Sequence, residues 1–205
     1  MTDLLPAVPS RQGHFRLESG YHTNLWLTLD GLFTEPAGIT PLVDALAVRL
    51  RPHRASAVCG PFVGGALLAQ LLATALGVRF FSTQSAPVLS ATGLFRAQYY
   101  LTPELQRRIG GERLAIVDEI ISAGSSVRAT MTAASEAGAS VVVVGALAVL
   151  GDTALRHFGG IDMPVEALER RPFTMWMPDD AHSAPPVCCW RRHEGALADA
   201  QDAAA

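Results

Sequence analysis

The sequence predicts an α/β protein built on a parallel, twisted sheet flanked by helices. Three observations carry that reading. Short apolar β-runs alternate with helical stripes along most of the chain. Two of the helical stripes close on a glycine, Gly77 and Gly138. Residues 141–150 are apolar at nearly every position, as expected of a strand covered on both faces. Repeated βα units of this kind put the strands side by side and parallel, with the helices layered on either side.

In order along the chain, residues 14–30 read as two short extended pieces around the Ser19-Gly20 turn. Pro36 stands where the first turn of a helix tolerates proline. Ile39, Leu42, Val43, Leu46, Ala47 and Leu50 then recur at helical spacing as one apolar stripe, which Pro52 ends. A β-run at 55–59 stops at Gly60-Pro61, residues 64–76 form an apolar helix, and 78–82 form a strand. Another strand at 114–117 runs into a small-residue turn and a helix at 125–137. Strands at 141–150 and 165–168 complete the series. Residues 83–113 lack a clear period, and such a length is more often functional or disordered than idle. Within them 87–112 is too polar and Gly-rich to be a buried element and is read as a mobile lid, with 103–108 a short helix leading to Gly110-Gly111. The stretch 179–205, rich in Pro, Ala, Asp and His, reads as a partly ordered tail on a single domain spanning 1–178. Ligands of an open parallel sheet bind beyond the carboxyl ends of its strands, so the turns after Cys59 and Val117 should line the site.

Composition excludes several chemistries. The chain has 205 residues, 49% hydrophobic, 17% charged, with net charge −3, which suits one α/β domain and argues against a broad basic face for nucleic acid. All 16 basic residues are Arg. The lack of lysine rules out a Walker A lysine and a Schiff-base or pyridoxal-phosphate lysine. Any anion site must use Arg, backbone N–H groups or a metal. Cys59, Cys188 and Cys189 have no zinc-type spacing and read as reduced thiols. No apolar run reaches the roughly 18 residues of a membrane span. The opening Met1-Thr2-Asp3-Leu4-Leu5-Pro6 has no basic n-region, so a cytoplasmic location is expected.

The most informative stretch is Leu114-Ala115-Ile116-Val117-Asp118-Glu119-Ile120-Ile121-Ser122-Ala123-Gly124-Ser125-Ser126. A buried strand meets two acids, then a turn of small residues that opens a helix. Such a turn lets backbone N–H groups close around a phosphate at the positive end of the helix, and Ser122, Ser125 and Ser126 add hydroxyl donors. Adjacent carboxylates would repel a phosphate but accept hydrogen bonds from a pair of neighbouring hydroxyls. Phosphate on one side and a diol on the other describe a ribose 5-phosphate.

This stretch resembles the phosphoribosyl-diphosphate signature of the type I phosphoribosyltransferases. Phe15-Arg16-Leu17-Glu18-Ser19-Gly20, with Asp30 downstream, looks like the N-terminal hood of the orotate branch. The resemblance implies the type I phosphoribosyltransferase fold, with a small hood at about 13–35 on a core at about 36–170. It implies transfer of a phosphoribosyl group from phosphoribosyl diphosphate to a nucleobase, with orotate as the expected acceptor, Mg²⁺ as cofactor and a homodimer as the assembly. Asp118 and Glu119 would bind the ribose hydroxyls, and the turn Ser122, Ala123, Gly124, Ser125 and Ser126 the 5′-phosphate. Pro61, Phe62, Val63 and Gly64 would face the pyrophosphate. Mg²⁺ would be held through the diphosphate, with Asp118 its one candidate protein contact. Arg128, four residues after Gly124, and Arg96, in the irregular segment, are the candidate cations. Asp118 and Arg96 would carry the catalysis.

Several family cations are replaced. Glu18 stands where the hood has Lys, Phe62-Val63 where the pyrophosphate loop has Tyr-Lys, and Leu150-Gly151-Asp152 where an Arg contacts orotate. The segment 87–112 has Arg96, Arg107 and Arg108 but no Lys or His. Loss of one aimed donor lowers a rate by about a hundredfold or more. An alternative is therefore a catalytically weak or inactive relative that binds a ribose-phosphate ligand as a regulator.

Overall fold

The computed structural model describes residues 10–16, 21–27, 30–86 and 98–177. Strands β1 (Ser10–Arg16) and β2 (His22–Leu27) pair antiparallel, and a 3-10 turn at Asp30–Phe33 leads into α1 (Pro36–Leu50). Then follow β3 (Ala57–Pro61), α2 (Gly64–Leu76), β4 (Arg79–Ala86), β5 (Gln98–Tyr100), α3 (Pro103–Ile109), β6 (Arg113–Ile121), α4 (Ser125–Glu136), β7 (Ser140–Leu150), α5 (Thr153–Gly159), β8 (Val165–Arg171) and β9 (Met175–Trp176).

Among the described residues the large sheet has the order β5-β4-β3-β6-β7-β8. Its strands are parallel except for β5, which runs antiparallel to β4. The alternation of side chains across the pleat divides the core into two layers. Val58, Ala115, Val117, Val143 and Leu147 face α1 and α2, where Leu46, Leu50, Leu68 and Leu72 are fully buried. Ala57, Cys59, Leu114, Ile116, Val144 and Ala146 face the other way, against Val127 and Ala134 of α4 and Ala154 and Phe158 of α5. Burial pushes the Cys59 thiol up to about 12, so it is a packing group rather than a nucleophile.

Local signals placed most elements well. The α1 stripe buries Ile39, Val43, Leu46, Ala47 and Leu50 as its spacing requires. Gly77 ends α2 in the left-handed conformation, φ 71°. Two expectations need correction. The stretch 83–113 is not one irregular loop. Residues 83–86 extend β4, which pairs with β5, and α3 forms over the stretch read as a short helix, with Leu101 and Ile109 buried in the core. Pro103 at the first turn of α3 and the Glu104 pairings with Arg107 and Arg108 stabilise that short helix. Residues 87–97, which include Arg96, lie outside the described residues, as does the stretch 178–205 with Cys188 and Cys189. The second correction concerns the hood. Its sheet has the order β1-β2-β9, so its third strand comes from the far end of the described chain, Met175 and Trp176 pairing with Thr23 and His22.

Candidate functional site

The site is built at the carboxyl end of β6, the strand flanked by β3 and β7. β6 does not stop at Val117. It carries Asp118 and Glu119 within the strand and ends at Ile121. Asp118 is 7% exposed. Its Oδ2 accepts a hydrogen bond from Ser126 Oγ at 2.8 Å, and its Oδ1 accepts one from the Glu119 backbone N–H at 3.1 Å. Burial first, and then the neighbouring Glu119 carboxylate, push Asp118 well above the ordinary carboxylate range. Glu119 Oε2 is buried and has no hydrogen-bond partner among the described residues. A buried acceptor without a donor is costly, and this one lies against Gly64 at the start of α2.

The opposing wall is the start of α2. A Cβ on Gly64 would collide with the Glu119 carboxylate. A Cβ on Gly65 would stand 2.7 Å from Pro61 Cδ and 2.8 Å from Asp118 Oδ1. One on Gly60 would collide with the Gly65 carbonyl. These three glycines bring the first turn of α2 against the acid pair, and a side chain at any of them would separate the two walls. Of the loop residues expected to face the pyrophosphate, Pro61 is buried at the end of β3, while Phe62 and Val63 are exposed.

The turn Ser122-Ala123-Gly124 leads directly into α4, whose first residues are Ser125 and Ser126. Gly124 has φ 76°, which favours glycine. A Cβ there would point at Ala154 Cβ, 3.3 Å away, and Phe158 Cε2, 3.4 Å away, so Gly124 lets the turn pack on α5. The Ser126 hydroxyl donates to Asp118, tying the acid pair to the helix start. Ser122 and Ser125 are half-buried in the same turn. Arg128 is half-buried beside α5, with Nη1 3.2 Å from His157 Nδ1. Burial and the Arg128 charge lower His157, so the imidazole is neutral at pH 7 and accepts from the guanidinium.

Above the sheet end, Leu27 of the hood packs with Ile120, Leu150 and Phe173. Sequence reasoning missed this junction, because its four residues come from four distant parts of the chain. It also missed the pairing of His14 Nε2 with His22 Nδ1 at 2.7 Å, beneath Trp176. Gly65 was legible in principle, as the second glycine of a pair opening a helix after a strand.

Among the described residues there is no cluster of three His, Cys, Asp or Glu side chains that would hold a metal unaided. The apposed Asp118 and Glu119 carboxylates, one with an unpartnered buried oxygen, nevertheless fit a divalent cation whose other ligands come from a bound diphosphate.

A parallel sheet under a small antiparallel hood, with an acid pair ahead of a glycine turn at the central strand end, defines the class of type I phosphoribosyltransferases. Solved structures share that fold. The adenine phosphoribosyltransferase of Giardia lamblia complexed with 9-deazaadenine superposes with TM-score 0.65 at 15% identity, over 82% of this chain and 96% of that one. Mycobacterium tuberculosis orotate phosphoribosyltransferase in complex with inorganic phosphate gives 0.61 at 14% identity, over 87% and 94%. No family model matches the sequence. The orotate phosphoribosyltransferase of Pelotomaculum thermopropionicum is 33% identical over 171 residues, 82% of this chain and 81% of that protein. The chain belongs to the orotate phosphoribosyltransferase family.

Proposed function

We propose that this chain transfers the phosphoribosyl group of phosphoribosyl diphosphate to orotate, giving orotidine 5′-monophosphate and pyrophosphate. The observation that carries the reading is the buried Asp118–Glu119 pair, closed between the glycine-lined start of α2 and the α4 turn. Relatives named orotate phosphoribosyltransferase over most of the chain support the acceptor.

The ribose diol donates to Asp118 and Glu119, supplying the missing partner of Glu119 Oε2. The 5′-phosphate lies in the turn 122–126, on backbone N–H groups and the hydroxyls of Ser122 and Ser125 at the positive end of α4. Arg128, held by His157, adds a cation beside that turn. The diphosphate lies against the first turn of α2, near Pro61, Phe62, Val63 and Gly64. As the bond from C1 of the ribose to the diphosphate oxygen breaks and the bond to the ring nitrogen forms, positive charge develops on the ribose. The two carboxylates are placed to stabilise it, and the rest is positioning. Asp118 and Glu119 would be the protein contacts of a Mg²⁺ ion bound with the diphosphate, which would supply charge neutralisation for the leaving group.

Arg96 is the proposed cation over the diphosphate, supported by its place in the segment between β4 and β5 and by the lack of lysine. A homodimer in the cytoplasm and a single domain over 1–178 complete the proposal, supported by the family resemblance and by the absence of a helix long and apolar enough to cross a membrane among the described residues.

The exposed, uncharged Phe62 and Val63 favour the second reading, a ribose-phosphate binder without turnover. Release of pyrophosphate on mixing phosphoribosyl diphosphate, Mg²⁺ and a panel of bases separates the two. Release with orotate is expected. Stabilisation by phosphoribosyl diphosphate with no release from any base would establish the binder.

A further inference from the structure

We propose that the buried hydroxyl pair of Thr83 and Thr130 couples the two phosphate-binding ends of the site, so that a ligand in the α4 turn tightens the hold of the loop after β3 on pyrophosphate. This rests on the placement of the 5′-phosphate and the diphosphate proposed above and is independent of the acceptor base.

Thr83 stands in β4 and Thr130 in α4. Both are fully buried, with their Oγ1 atoms 2.8 Å apart. Their surroundings are apolar. Thr83 follows Phe81 on the face of β4 turned to α4, and its register partner on β3 is Pro61. The buried stripe of α4 is Val127, Thr130 and Ala134, in which Thr130 alone is polar. Apolar contact between such small side chains has no direction and tolerates sliding of a helix over a sheet. A hydrogen bond between two hydroxyls out of reach of water does not, because a shift of α4 would leave both unmet. The pair therefore sets the height of α4 on β4.

Each partner also holds one end of the site. One turn before Thr130, the Ser126 hydroxyl donates to Asp118 Oδ2 at 2.8 Å, at the helix start proposed to receive the 5′-phosphate. On the other side of the pair, the Thr83 carbonyl accepts from the Phe62 N–H at 2.9 Å, at the loop proposed to face the diphosphate. The sheet itself does not make this connection. Pairing between β3 and β6 runs from Ala57 with Leu114 to Cys59 with Ile116, and so stops short of Pro61 and of Asp118. Between those two strand ends, the route from the acid pair to the loop passes through Ser126, one turn of α4, Thr130 and Thr83. Closure of the α4 turn on a phosphate is thereby transmitted to the loop.

The test is calorimetry on the full chain. It measures the dissociation constant of pyrophosphate in Mg²⁺ with and without saturating 1,4-anhydroribitol 5-phosphate, which carries the 5′-phosphate and the diol but nothing on C1. In the wild type the sugar phosphate should tighten pyrophosphate about fivefold or more. Thr83→Val keeps the shape and removes the hydroxyl, and the Thr130 hydroxyl can then turn back to the Ser126 carbonyl, so the chain should fold. In this variant the tightening should fall to about twofold or less, and Thr83→Ser should keep the wild-type ratio. Thr83→Val combined with Thr130→Val leaves neither hydroxyl unmet. Its Tm should return toward the wild-type value while the ratio stays as low as in Thr83→Val. A merely structural pair gives a ratio that ignores Thr83→Val, or one that recovers with Tm in the double variant. Either result overturns the proposal, as does a wild type without tightening, or Thr83→Ser behaving as Thr83→Val. If Thr83→Val fails to fold, the double variant reads the same ratio. A wild type that binds neither probe removes the site and the coupling together. Turnover is scored separately: a chain that shows the coupling but releases no pyrophosphate with orotate loses the transferase reading and keeps the pair.

Discussion

Asp118 is held where its charge is disfavoured. Its carboxyl is buried, stands beside Glu119, and has its proton affinity raised on both accounts. A folded-state pKa above the unfolded value means that the stability tied to this group is fully present at low pH. It is lost as pH rises from the ordinary carboxylate range through the raised value. Asp118→Asn removes that titration. It should raise Tm at pH 8 relative to the wild type and change little near pH 4, a comparison that thermal melts at the two pH values decide. The same substitution removes the group that receives the ribose. Asn and Gln at 118 and 119 together should weaken phosphoribosyl-diphosphate binding by roughly 2–4 kcal/mol through lost charged hydrogen bonds, with secondary structure retained. Unchanged affinity by calorimetry would take the pair out of the site. Stability and binding thus move in opposite directions at one residue, as expected where a site keeps polar groups under-satisfied until its ligand arrives.

The elements around the pair differ in how far their roles could be read from sequence. The strand, the two acids and the small-residue turn are contiguous, so thirteen residues carried them. The wall formed by α2 was only half legible. Gly60, Gly64 and Gly65 announced a close approach, but that the approach is to Glu119 and Asp118 depends on β3 lying beside β6. The α5 contact was not legible. A side chain at Gly124 would face Ala154 and Phe158, and its φ of 76° strains any other residue. Gly124→Val should therefore destabilise the protein by about 1–3 kcal/mol, from backbone strain and crowding against α5, and lower Tm by several degrees. A variant with wild-type Tm that has merely lost phosphate binding would restore the simpler view of a filled cradle.

At the scale of the whole molecule, the hood and the sheet are joined through the far end of the described chain. From β8 the backbone passes Arg171 and Phe173, the latter packed with Leu27, Ile120 and Leu150, and then adds β9 to the edge of β2. Sequence periodicity could not reveal this, because a two-residue strand has no period and its pairing partner lies about 150 residues away in the chain. Without β9 the hood is a two-stranded hairpin, which is marginal in water on its own. With it, Trp176 packs 6.5 Å from the His14 ring, beside the His14–His22 hydrogen bond. Truncation after Thr174 should therefore act on the hood and spare the parallel sheet. Amide exchange in β1 and β2 should accelerate while exchange in β6 and β7 stays slow. Ribose 5-phosphate should bind as before, since Asp118, Glu119 and the α4 turn are untouched. The acceptor base should bind more weakly, because Leu27 is no longer held over Ile120. If exchange rises equally in all four strands, the hood and the sheet are one cooperative unit, and β9 is a strut of the entire fold rather than the clasp of its acceptor side.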